Sequence, residues 1–379
     1  MTIEMPRPAS PAREALAGEV PVAPSGAKGG EGIEDVPLFL RDCWYMARLA
    51  ATVDEGDLRR EMLLGEPVLV GRGRDGKIFA LRDICPHRGV PLSAGRVLQD
   101  NTVECPYHGW RFKQDGQCAL IPSLVGDEAI DAANIRVRAY PVREQDGLIW
   151  VYMPAAGREA IPPSHEPPKV GVPKARPRWS ESQVFHCGID HAVLGLMDPA
   201  HGPYVHSHWW WRRKPREKVK TYAPLPNGFV MTRHRPTKPV YSLLGADVST
   251  EITFELPSIR FENIAGTVLG KHIDVVGLTT CTPRDAETTQ VTQIFYWPAW
   301  LFFIKPFFMA LGPTFLGDDR RIVELQKEGL KFNPPLMLIQ DSDVPAMWYH
   351  RLKKAWAESV RTGAPFVNPV TERTLRWKS

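Results

Sequence analysis

Residues 84–110, ICPHRGVPLSAGRVLQDNTVECPYHGW, hold two cysteines and two histidines in a repeated arrangement. Cys85-Pro-His87 and Cys105-Pro-Tyr-His108 each supply one thiolate and one imidazole, and seventeen residues separate the two groups. Zinc is the plainest occupant, yet its structural sites usually draw on a Cys-x2-4-Cys knuckle and a closely spaced histidine pair. One Cys and one His from each of two loops suits instead a two-iron cluster, with both cysteines on one iron and both histidines on the other. Exchanging two thiolates for imidazoles removes negative charge and raises the reduction potential. Gly89 and Gly109, shortly after the histidines, are expected to let backbone amides approach the sulfides, while the prolines stiffen each loop.

A second group lies in LGLMDPAHGPYVHSHWWW, residues 194–211, which contains Asp198, His201 and His206. Five positions apart on an ideal helix, the two histidines would point about 140° away from each other. Gly202-Pro203 between them interrupts the helix, and the resulting turn can bring both rings to one point. Two histidines and one carboxylate form the facial set that leaves open positions on ferrous iron for dioxygen. Spacing alone does not say which carboxylate completes it. Asp198 stands three residues before His201, where it either reaches the same side or simply caps a turn ahead of Pro199. His208 reads as an exposed loop or pocket-rim residue. Trp209, Trp210 and Trp211 read as a pocket wall or as filling at a domain seam, Cys118 as a small core residue, and His186 and Cys187 as strand residues.

These groups need elements to hold them. Residues 1–36 are rich in Pro, Ala, Gly and Glu without aromatics and read as a disordered tail. From 37 to 155, short apolar runs alternate with RDG, QDG and DG turns, the pattern of a small antiparallel β domain. The proline-dense stretch 156–178 reads as a linker. Residues 179–379 mix strand-like runs (GFVMTRHR, DVSTEITFEL) with helices expected around 188–200, 318–330 and 341–361, so the second domain is α+β. In that frame Asp341 and Asp343 of IQDSDVPAMW read as N-caps.

Composition narrows the function further. With 43% apolar and 24% charged residues and a net charge of +4, the 379-residue chain reads as a folded soluble protein. Its basic residues are scattered, which gives no support for nucleic-acid binding. Six cysteines are too few and too dispersed for a disulfide scaffold. The most apolar stretch, FYWPAWLFFIKPFFMALG at 295–312, carries Lys305 and two prolines, so it is expected to be a buried strand and loop wall rather than a membrane span. No secretory signal pattern is seen, and cytoplasmic residence is expected.

CPHRG and CPYHGW resemble the Rieske motif of the Rieske non-heme iron oxygenases, specifically their terminal oxygenase (alpha) subunits, and the likeness extends from about residue 37 to the end. The resemblance implies an N-terminal Rieske [2Fe-2S] β domain followed by a helix-grip-like catalytic domain of antiparallel sheet and helices. It implies that Cys85, His87, Cys105 and His108 hold the cluster, and that His201, His206 and Asp319 of GDDRRIVELQ hold a mononuclear Fe(II), with the adjacent Asp318 as rival. It gives Asp198 the part of an electron bridge between His201 and a cluster histidine, matching His108, of a neighbouring subunit in a head-to-tail homotrimer. Electrons would come from NAD(P)H through a separate ferredoxin or flavin reductase. The length and spacing look most like the monooxygenases that hydroxylate or oxidatively O- or N-dealkylate small aromatic compounds, with ring dihydroxylation as the alternative. A Rieske electron carrier without oxygenase activity and a zinc-stabilised binding protein are the readings from other classes. One departure stands out: where the family often has Asn, three positions before the bridging aspartate, this chain has Gly195, and Asp190 or His191 are the candidates to replace that polar neighbour of the iron.

Overall fold

The computed structural model describes residues 36–125, 131–172, 174–206, 208, 214–236, 241, 244–245 and 247–379. The expected tail, apart from residue 36, and Trp209, Trp210 and Trp211 lie outside the described residues. The N-terminal half contains β1 (Cys43–Leu49), β2 (Leu58–Leu63), β3 (Glu66–Arg72), β4 (Ile78–Arg82), β5 (Arg96–Val97), β6 (Val103–Glu104), β7 (Arg111–Phe112) and β8 (Cys118–Leu120). It ends with β9 (Ala139–Tyr140), β10 (Val142–Gln145) and β11 (Leu148–Met153). These strands form small antiparallel sheets in the orders β1-β11-β10, β2-β3-β4-β9 and β5-β6-β7-β8. The turn chemistry is visible between β10 and β11, where Asp146 and Gly147 both take left-handed backbone (φ 56° and 79°) in a two-residue hairpin. A side chain at Gly147 would also strike Pro177, because the segment leading to the second domain crosses directly over this turn.

The second half begins with β12 (Trp179–Phe185), α1 (Ile189–Met197) and α2 (Gly202–Val205), followed by β13 (Glu217–Leu225), β14 (Gly228–His234) and β15 (Ser249–Glu255). After β16 (Ile259–Val268), β17 (Lys271–Pro283) and β18 (Thr289–Tyr296) come the long helix α3 (Lys305–Leu330), α4 (Val344–Thr362) and β19 (Arg373–Lys378). All eight strands join one antiparallel sheet in the order β12-β18-β17-β16-β15-β14-β13-β19. Helix α4 lies on that sheet: the Trp348 ring meets Phe229 and Tyr222 at centroid distances of 5.3 and 5.7 Å, and Tyr349 meets Phe254 edge-on at 5.8 Å. The α4 helix stops at Gly363, whose φ of 74° closes the last turn.

The two halves share their cores. All six residues of β11 are buried, and the period-2 alternation sends Ile149, Val151 and Met153 into one apolar cluster and Leu148, Trp150 and Tyr152 into another. The second cluster also contains Ile259, Phe261, Leu278 and Ile294 of the large sheet. Hydrogen bonds stitch the seam: Leu64 N and Gly65 N donate to the carbonyls of Pro283 and Arg284 at 2.8 Å each, and Thr282 Oγ1 donates to the Met46 carbonyl at 2.8 Å.

Three expectations from the sequence are corrected. Residues 299–312 are a 3-10 turn, Ala299–Ile304, running into α3, not a strand and loop wall. Much of that segment is exposed, with Phe302 at 74% and Phe303 at 53%. Lys305-Pro306 does not interrupt it, because proline is tolerated in the first helical turn where its missing N–H costs no bond. By length and composition, Ala299–Leu330 is also long and apolar enough to cross a membrane, although its second half carries Asp318, Asp319, Arg320, Arg321 and Glu324. His186 and Cys187 fall in a bend just beyond β12 rather than within a strand.

A buried ion pair ties α1 to α4. Lys353, 4% exposed at its side chain, places Nζ 2.7 and 2.8 Å from the two oxygens of Asp190, and also donates to the Leu38 carbonyl at 3.1 Å. Tyr349 donates its hydroxyl to the same carboxylate at 2.7 Å. Removing one partner leaves the other charge buried without compensation. Lys353→Met is therefore expected to lower unfolding free energy by about 3 kcal/mol, and Tyr349→Phe by about 1 kcal/mol. Denaturant titration of the two variants checks both values and their order.

Candidate metal centres

The two Cys-His loops adopt the same turn. Cys85 N donates to the Val90 carbonyl at 2.9 Å while Gly89 N returns to the Cys85 carbonyl at 2.8 Å. In the second loop Cys105 N donates to the Trp110 carbonyl at 2.8 Å and Gly109 N to the Cys105 carbonyl at 3.1 Å. Gly89 and Gly109 sit at φ 74° and 69°, so glycine serves the left-handed corner that each turn requires. The amides of both glycines are spent on cysteine carbonyls, which closes each turn.

The turns sort the four side chains by depth. Cys85 and Cys105 are 2% and 3% exposed, whereas His87 and His108 stand at the surface with ring centroids 4.6 Å apart. Trp110 stacks on His87 at 4.8 Å and 9°, steadying the outer ring. Burial pushes the Cys85 thiol up to about 11 against a backbone N–H of His87 that favours thiolate, and the neighbouring Cys105 thiol raises it further. A Cys85 thiol that resists ionising, with Cys105 buried beside it, calls for positive charge at that place, which a two-iron cluster with inward cysteines and outward histidines supplies. The residues fit that group. Cys118, by contrast, is buried in a hairpin with its thiol on the Leu120 carbonyl, as a core residue would be.

The second centre is built from a broken helix. Helix α1 ends at Asp198, because Pro199 disfavours helical backbone in the residue before it. His201 then opens the single-turn α2, accepting Tyr204 N and Val205 N at 2.9 and 3.0 Å, and His206 closes it. The interruption thus falls at Pro199; Gly202-Pro203 form the first residues of α2 instead of breaking between the rings. Placed at the two ends of one turn, the rings stand 5.3 Å apart at 72°.

Helix α3 brings the carboxylate. Asp319 Oδ1 lies 3.7 Å from His201 Nε2 and 3.2 Å from His206 Nε2, and one ligand atom from each of the three residues falls within 4.8 Å of the others. Two imidazole nitrogens and one carboxylate oxygen, with no fourth side chain closing the set among the described residues, fit a first-row ion that keeps open positions. Asp318 does not enter this group. Its Oδ2 sits 3.1 Å from His208 Nε2 and 3.5 Å from His206 Nδ1. His208 is a rim residue, 36% exposed at its side chain.

The remaining candidates fall around these centres. Asp198 offers His201 Nδ1 its backbone carbonyl at 2.8 Å, with its carboxylate at 3.7 Å; one carboxylate oxygen accepts Ala200 N at 2.7 Å. Asp190 is taken up by Lys353 and Tyr349 and does not replace a polar group at the iron. Gly195 sits close to α3: a Cβ there would stand 3.2 Å from a methyl of the Val323 side chain, so a larger residue would require that side chain to shift. His191 is half-buried on α1, and desolvation holds its imidazole below the usual range, toward the neutral form. The N-cap reading of Asp341 and Asp343 is corrected. Asp341 accepts Arg376 N and Arg373 Nη2 on β19, and Asp343, although at the cap position of α4, turns back to accept Ile339 N at 2.8 Å. Sequence reading missed Phe315, whose ring stacks on His206 at 3.8 Å; its spacing three residues before Asp318 was the available signal.

Comparison with known proteins agrees with this arrangement. Residues 43–141 match the Rieske [2Fe-2S] domain family. The chain is similar to the oxygenase component of dicamba O-demethylase from Stenotrophomonas maltophilia, 37% identical over 171 residues, covering 44% of this chain and 48% of that protein. It is also similar to chloroplastic chlorophyllide a oxygenase of Chlamydomonas reinhardtii, 34% identical over 193 residues, covering 50% of this chain and 28% of that protein. The matched segments thus span less than half of either relative. Among solved structures, dicamba monooxygenase bound to dicamba superposes with a TM-score of 0.67 at 23% identity, covering 86% of this chain and 99% of that one. Residues 43–141 are thus a Rieske [2Fe-2S] domain, and the chain shares the fold of dicamba monooxygenase.

The cluster fit has a direct check. Cys105→Ser is expected to lose both acid-labile sulfides and the visible absorption of the cluster, while Cys118→Ser keeps both; sulfide assay and absorption spectra on the purified variants decide it.

Proposed function

We propose that the chain is the terminal oxygenase of a multicomponent system, taking electrons that NAD(P)H supplies through a separate ferredoxin or flavin reductase and using O2 to hydroxylate or oxidatively O- or N-dealkylate a small aromatic compound. The observation that carries this reading is the convergence of His201, His206 and Asp319 in the same chain as the two Rieske loops. A pure electron carrier has no use for a second, two-histidine, one-carboxylate set, and a zinc-stabilised binding protein has no use for two such groups.

In this reading Cys85, His87, Cys105 and His108 hold the cluster, and His201, His206 and Asp319 hold ferrous iron. When bound, the two groups supply one-electron storage and activation of O2 next to substrate. The protein's own part is positioning. Burial of the cysteines with exposure of His87 and His108 leaves the imidazole edge free to meet another molecule. Asp198, 37% exposed at its side chain and with Oδ2 3.7 Å from His201 Nδ1, can accept a hydrogen bond from His108 of a neighbouring copy, joining the centres across a head-to-tail homotrimer. Tyr204, 69% exposed beside it, and Tyr107, 59% exposed beside His108, are apolar surface suited to that contact. Dealkylation places one oxygen atom on the alkyl carbon and sends the other to water; the resulting hemiacetal or carbinolamine collapses to an aldehyde. The likeness to the dicamba O-demethylase supports dealkylation in this reading.

His206→Ala is expected to keep the cluster spectrum and abolish substrate oxygenation, and retained turnover would remove the proposed iron site. Asp198→Asn should leave both metals bound, at roughly three irons and two sulfides per chain, yet slow reoxidation of the reduced cluster by O2 and substrate. Screening aryl alkyl ethers, N-alkyl aromatics and plain arenes with purified reductases, and scoring aldehyde against ring diols, separates the two oxygenation chemistries.

A further inference from the structure

We infer that Asp318 is a positioning residue for the mononuclear centre, one that fixes the ring of His206 through Nδ1 while its neighbour Asp319 takes the metal side. This rests on the iron site proposed above. Phe315, Asp318 and Asp319 occupy positions i, i+3 and i+4 of α3, the spacing that gathers side chains on one helix face. Each meets a different part of the same imidazole. Phe315 lies flat on the ring at 3.8 Å and 15°, Asp319 Oδ1 stands 3.2 Å from Nε2, and Asp318 Oδ2 stands 3.5 Å from Nδ1.

The chemistry of the ring assigns the parts. A neutral imidazole that ligates through Nε2 carries its proton on Nδ1, and a ring only 1% exposed needs an acceptor for that proton. Asp318 Oδ2 is at hand, and it is itself steadied by His208 Nε2 at 3.1 Å. The carboxylate therefore lies between the two rings, at hydrogen-bond distance from His208 and in close approach to His206 Nδ1. Adjacent residues of a helix point about 100° apart, which is why one aspartate can serve each nitrogen edge while the phenyl ring below prevents the imidazole from tipping. The Asp-Asp doublet thus divides into a ligand and an orienting group, the carboxylate–histidine–metal pattern that commonly changes metal affinity 10- to 100-fold when broken.

The test uses the full-length holoprotein loaded with Fe(II), with the cluster spectrum as the control for folding. Release of iron to a ferrous chelator is timed, and the ferrous centre is exposed to nitric oxide for its EPR signature. Asp318→Ala is expected to release iron roughly 10- to 100-fold faster and to shift the rhombicity of the nitrosyl signal. Asp318→Asn, which keeps an acceptor oxygen at the same reach, should recover most of the slow release. Asp319→Ala and His206→Ala should fail to retain the mononuclear iron. Release from Asp318→Ala within about twofold of the unaltered protein, with an unchanged nitrosyl signal, overturns the inference, as does iron retained by Asp319→Ala but lost from Asp318→Ala. No recovery in Asp318→Asn also counts against it. If the unaltered protein and His206→Ala hold the same iron, the proposed iron site itself fails, and that outcome is distinct from the others.

Discussion

Burying an imidazole is costly unless its polar edge meets partners, and the catalytic half is arranged around meeting that demand for His206. The ring is carried at the end of a four-residue helical turn, an element too short to hold a side chain still by itself. Stiffness has to come from the neighbour, and a 26-residue helix provides it. Around that helix, α1 packs close at Gly195 and Val323, and α1 is in turn fastened to α4 by the Lys353–Asp190 pair. The group of His201, His206 and Asp319 thus lies between α2 and α3, with ring stacking on His206, side-chain packing of α1 on α3, and charge between α1 and α4 around it.

The Rieske end solves a different problem. Two short loops with the same hydrogen-bonded turn carry their first residue inward and their histidine outward, so one sequence grammar yields a buried sulfur face and a solvent-facing nitrogen face. The left-handed glycines make the turn possible, and the apolar residues around the cysteines, Leu92, Val103, Phe112 and Ile121, keep water from the sulfur side. An electron held there is screened from bulk solvent yet lies one imidazole away from the surface.

Much of this was legible from residue types because the constraints are local. The Cys-x-His and Cys-x-x-His spacings announce their turns, and DG at 146–147 announces a hairpin that forms as expected. The His201 and His206 pair betrays a break in the helix, though the break sits at Pro199 and not at Gly202-Pro203. What failed were judgements that depend on distant partners. The run at 299–312 is apolar enough to suggest burial, but exposure is set by what folds over it, and prolines at a helix start look in sequence like breakers. Asp343 stands at a cap position and bonds elsewhere because Ile339 N is nearer. The departure at Gly195 could not be understood without Val323, which lies 128 positions later in the chain. The Asp318–Asp319 ambiguity likewise needed the geometry of the ring they flank.

The carbonyl of Pro199, next to Asp198, is held by Trp377 Nε1 at 3.2 Å and Ser379 Oγ at 3.1 Å. Those groups belong to the strand that pairs with β13 at the sheet edge, 178 and 180 positions downstream. Since a chain emerging from the ribosome folds from its leading portion, the loop bearing Asp198 gains these two bonds only once synthesis has passed β19. The β domain can close early, whereas the loop ahead of His201 completes its anchoring later. During biogenesis, the paired cysteine–histidine turns would then stand formed before the second residue group is held in place.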